Sequence, residues 1–74
     1  MDLVIDYGSD QFIIELKLWD GSAKQDKAYE QLVGYLNKKG ADKGYLLTFD
    51  FRKQKTVKKG WINVDGKDIF EVQV

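Results

Sequence analysis

Asp2 and the tripeptide Glu15-Leu16-Lys17 are the residues of this chain best placed to do chemistry. An acid opens one apolar run, and the next run holds an acid and a lysine two positions apart. Side chains two apart on a strand share a face, so Glu15 and Lys17 are expected side by side while Leu16 points away. Gly8-Ser9-Asp10 reads as a hairpin turn, and folding there brings Asp2 opposite Leu16 and Lys17 to within about one residue of register. Two carboxylates and an ammonium then converge on one patch. The plainer reading of Glu15 and Lys17 is an ion pair on a solvated edge strand, which contributes little stability.

Charge is segregated along the chain. The net charge of zero comes from 12 basic and 12 acidic residues. Residues 1–20 carry Asp2, Asp6, Asp10, Glu15 and Asp20 against Lys17, whereas residues 51–60 carry Arg52, Lys53, Lys55, Lys58 and Lys59 with no acid. An acidic centre beside a basic loop suits a phosphodiester, because acids hold a divalent cation while lysines and arginines engage phosphates away from the reacting bond. A solvated turn is the alternative for the basic segment.

The elements that must position these residues follow from periodicity. Asp2–Tyr7 and Gln11–Trp19 read as strands, and Gln25–Lys39 as a helix with Ala28, Leu32, Tyr35 and Leu36 on one stripe, widened by Tyr29 and Val33. Lys38, Lys39 and Gly40 suit the helix C-terminus. Gly34 is expected at a close packing contact. Gly44–Asp50, Trp61–Val64 and Asp68–Val74 read as further strands, the last two joined by Asp65-Gly66, a hairpin signal. Helix Gln25–Lys39 between two strands is a crossover, so those strands are expected parallel and adjacent. The fold class is α/β, a mixed sheet with one crossover helix in the order β-β-α-β-β-β.

With 74 residues and neither cysteine nor histidine, the chain has no disulfide or common zinc site to reinforce a small core. It shows no secretory signal and no apolar stretch of membrane-spanning length, so a cytoplasmic protein with no membrane partner is expected. No small-molecule organic cofactor is expected either.

Asp2-Leu3-Val4-Ile5, Ile13-Ile14-Glu15-Leu16-Lys17, Gln31-Leu32 with Tyr35, and Gly44-Tyr45-Leu46-Leu47-Thr48-Phe49-Asp50 together resemble the PD-(D/E)XK nuclease superfamily. The nearest likeness is to the nuclease-like domain at the end of certain bacterial ATPase-like proteins. It spans nearly the whole chain, including Gly66-Lys67-Asp68-Ile69-Phe70, and departs from those domains at Met1, where they carry a Gly-Arg pair and an upstream helix and strand. One nuclease-like domain over residues 1–74, truncated at its N-terminus, is therefore expected. The resemblance implies metal-dependent cleavage of DNA. Asp2 and Glu15 would ligate Mg²⁺ or Mn²⁺ with the backbone carbonyl of Leu16, and Lys17 would position or help deprotonate the attacking water. Gln31 would face the site from the helix, with Tyr35 one turn on as a site or core residue. Trp19 and Trp61 could stack on bases or belong to core or interface.

One helix covers one sheet face, so a homodimer is expected, with Trp61, Ile62, Phe70, Val72 and Val74 as candidate contacts. A catalytically inactive nuclease-like fold serving nucleic-acid binding or protein assembly is the alternative function.

Overall fold

The computed structural model describes residues 2–8, 10–53 and 57–74, and for Asp2 the backbone alone. Ser9 and Lys55 lie outside the described residues. Strands β1 (Asp2–Tyr7) and β2 (Asp10–Leu18) are followed by helix α1 (Ser22–Lys39) and strands β3 (Lys43–Phe49), β4 (Lys58–Val64) and β5 (Lys67–Gln73). They form a five-stranded mixed sheet in the order β1-β2-β3-β5-β4. β2 and β3 run parallel, as the crossover helix requires, and β5 pairs parallel with β3. The β4–β5 hairpin turns on Asp65 and Gly66, whose φ values of 50° and 81° are the positive pair a type I′ turn demands.

Helix α1 begins three residues before the apolar periodicity does, after Gly21, which supplies no side-chain cap. Its C-terminus matches the sequence signals: Gly40 is left-handed at φ 66°, and its N–H is donated to the carbonyl of Asn37. The helix lies over β2 and β3 and buries Ala28, Leu32, Val33 and Leu36 against Ile13, Leu46 and Ile69. Burying aliphatic side chains of this size stabilises by about 1.5–3 kcal/mol each. Tyr29, Tyr35, Ile62 and Val64 pack around this core.

The glycine that permits close packing is Gly44 rather than Gly34. A Cβ at Gly44 would lie 3.0 Å from Leu36 Cδ1 and 3.2 Å from Leu32 Cδ1, whereas one at Gly34 meets open space on the exposed side of the helix. Small size is needed on the strand, where the helix descends, and not on the helix itself.

Strand alternation assigns two unlike faces. Ile13, Leu46 and Ile69 face the helix, and their strand neighbours Phe12, Ile14, Tyr45 and Phe70 face the other way. Ile62 joins the helix-side core, so of the contacts expected for a second copy only Trp61, Phe70, Val72 and Val74 share the uncovered side. No helix among the described residues is long and apolar enough to cross a membrane.

Candidate functional site

Glu15 and Lys17 stand side by side on the helix-facing side of β2, Glu15 only 4% exposed and Lys17 half-buried. Leu16 turns to the opposite face. The β1–β2 hairpin aligns Asp2 directly with Glu15, one residue from the expected register. Directly opposed residues in an antiparallel pair have Cα atoms about 4.5–5.5 Å apart.

A polar layer continues from this corner across the sheet. Lys17 is in register with Thr48 on β3, and Thr48 with Gln73 on β5. From the helix, Gln25 donates through Nε2 to Thr48 Oγ1 at 2.9 Å. Gln25 is 8% exposed, and its Oε1 is buried without a hydrogen-bond partner among the described residues. One turn further, the Tyr29 hydroxyl donates to the Glu71 carboxylate. Burial, reinforced by that carboxylate, pushes the Tyr29 phenol above its ordinary pKa and keeps it a donor.

Gln31 and Tyr35 are not drawn into this corner together. Gln31 is exposed, and Tyr35 packs against the core with the Lys39 ammonium 5.7 Å from its ring centroid. Gln25 is the helix glutamine that reaches the strand beside Lys17. The signal was its spacing: residues 25, 28, 32 and 36 form one helical stripe, so Gln25 continues the buried face into the first turn.

The basic segment divides into unlike parts. Asp50, at the end of β3, is 1% exposed, and Arg52 closes on it from two residues away. Arg52 donates Nε to Oδ1 at 2.9 Å, Nη2 to Oδ2 at 2.7 Å and its backbone N–H to Oδ1 at 3.1 Å. Gln73 Nε2 adds a donor to Oδ2 at 3.1 Å, and the guanidinium lies 4.6 Å from the centroid of Trp19. Hydrogen bonds from Arg52 hold the Asp50 carboxyl far below the usual carboxylate range despite its burial. Arg52 is thus tied to Asp50 and Trp19, with 51% of its side chain still exposed. Lys58 and Lys59 belong to β4 and not to a loop; with Lys53 they are solvent-exposed.

The PD-(D/E)XK nuclease superfamily model matches residues 1–60, and the chain belongs to that superfamily. No curated protein and no solved structure matches it. Members of the superfamily generally use divalent metals. Among the described residues no group of three acids, histidines or cysteines could hold one. The donors at this corner are nonetheless of the right kind. Glu15 is a buried carboxylate with a second acid directly across the hairpin, and hard divalent cations take oxygen ligands while keeping several waters.

Proposed function

We propose that this chain is a metal-dependent nuclease cleaving phosphodiester bonds of DNA, with Asp2, Glu15 and the Leu16 carbonyl holding Mg²⁺ or Mn²⁺. The observation that carries the reading is the adjacency of Glu15 and Lys17 on the helix-facing side of β2, with Asp2 aligned across the hairpin. The metal would act as a Lewis acid on the phosphate and lower the pKa of a bound water. Lys17 would position that water and, as an ammonium, offset charge gathering on the phosphoryl oxygens; helping to deprotonate the water would require it to enter the step neutral. Gln25, hydrogen-bonded to Thr48, would hold the helix against β3, the strand paired with the one that carries Lys17. Lys53 and Lys58 would engage phosphates outside the reacting bond, with Lys55 of the same segment and the exposed half of Arg52, while Lys59, on the opposite face of β4, would contribute less. Two copies per particle and a cytoplasmic setting complete the proposal. The inactive binding or assembly reading gains support from one observation: a whole sheet face lacks a cover among the described residues.

Titration with Mg²⁺ or Mn²⁺ under thermal melting separates the two readings. A cation bound only by the folded state stabilises it by about 2.7 kcal/mol at 100 times its dissociation constant. Glu15→Gln should erase that stabilisation and cleavage together. Lys17→Ala should keep it while lowering turnover by roughly 10²–10³-fold, the usual loss for one charge-stabilising donor. An unchanged melting temperature at saturating metal, with Glu15→Gln indistinguishable from the parent, would leave the assembly module as the function.

A further inference from the structure

The face of the sheet turned away from the helix carries a continuous aromatic row. Phe12, Tyr45, Phe70 and Trp61 come from the neighbouring strands β2, β3, β5 and β4, with successive ring centroids 6.0, 6.4 and 5.2 Å apart. Around them Leu3, Ile5, Leu18, Phe49 and Trp61 itself expose at least 36% of their surface. Five strands about 4.8 Å apart and seven residues long make a face of roughly 550 Å² before side-chain relief is counted. Pairing two such faces removes more than about 1,000 Å² from water, which is what a specific interface needs.

The charges on this face decide what pairs with it. Among the described residues they are Asp10, Lys43, Lys59 and Asp68, two acids and two lysines, all at the margin of the apolar centre. An apolar centre within a polar rim is the anatomy of a protein interface. A nucleic-acid strand would require net positive charge, which this face lacks. Lys43 and Asp68 are register partners on adjacent strands, with Asn63 donating to Asp68 and the Lys43 ammonium 6.0 Å from the Trp61 ring centroid. A neighbouring pair of opposite charges is its own complement under a two-fold axis, because each lysine meets the other copy's aspartate.

We infer that this face binds a second copy of the same chain, sheet against sheet, with Trp61 and the aromatic row at its centre and Lys43 and Asp68 paired across the axis. The inference does not depend on the nuclease reading. It does fix the arrangement of the two Glu15/Lys17 corners, which lie on the outer sides of a sandwich whose sheets are about 10 Å apart. The corners face in opposite directions, so each attends to its own strand and the pair does not close on one duplex.

Sedimentation equilibrium at micromolar concentration should return twice the 8.6 kDa chain mass. Trp61→Glu should weaken association by at least about 30-fold, the scale of a lost central aromatic. Circular dichroism checks that this variant remains folded. Lys43→Asp and Asp68→Lys should each weaken association while circular dichroism shows them as folded as the parent, and the two combined should restore it; the folding check is needed because the two residues are also neighbours within one sheet. Glu15→Gln should leave the dimer intact, which separates this test from that of the metal site. A folded monomer at 8.6 kDa, or a dimer indifferent to Trp61→Glu and to the charge reversals, overturns the inference.

Discussion

Asp50 and Arg52 show how one residue's role is set by what lies within reach. In the sequence Arg52 is one of a run of cations, and nothing local distinguishes it from Lys53. In the fold its guanidinium meets a carboxylate that is 1% exposed, and its planar fork matches that carboxylate at two points. The folded-state pKa of Asp50 is depressed, so the unfolded chain takes up a proton first as pH falls. The stabilisation is complete above the unfolded aspartate value of about 3.9 and drains away as pH drops below it toward the folded value. Acid titration followed by circular dichroism should show Asp50→Asn less stable than the parent near pH 7, with a shallower loss of stability below pH ~4. Glu15 and Lys17 were legible in the sequence because strand alternation is local. The closure of Arg52 onto Asp50 was not, since it depends on Asp50 being sealed by β5.

At the scale of elements, the cations reaching solvent from β4 differ from those of a loop. Lys58 and Lys59 are consecutive on an edge strand, so they point to opposite faces, Lys58 toward the helix side and Lys59 toward the aromatic row. If phosphates pass the Glu15/Lys17 side, Lys58→Gln should flatten the salt dependence of DNA binding by about one unit of slope, and Lys59→Gln should change it much less. Fluorescence anisotropy across a salt series measures both. Equal effects would return the pair to the role of a solvated edge, where lysines also discourage edge-to-edge pairing. Strand limits were readable to within a residue or so for β1, β2, β3 and β5, whose apolar alternation is clear. The first turn of α1 and the start of β4 were missed because both are polar, and because Gly21 gives no capping side chain to announce the helix.

Across the whole molecule, the parallel β2–α1–β3 unit and both hairpins follow from chain order. The insertion of β5 between β3 and β4 does not, because it is decided by which strand can bury Ile69 beneath the helix. That strand order leaves β1 at an edge, bonded to β2 alone, and Leu3 through Gly8 are all exposed. Backbone segments with few buried apolar contacts open at a small fraction of the global unfolding cost. Asp2 therefore belongs to the part of the sheet that protects its amides least, while Glu15 belongs to the part that protects them most. In amide exchange, β1 should lose its protons well ahead of β2 and β3, and saturating divalent cation should slow β1 selectively by closing the hairpin across Asp2 and Glu15. The metal would then act as a clasp on a fraying edge, and occupancy of the site would be written in the lifetime of a hairpin.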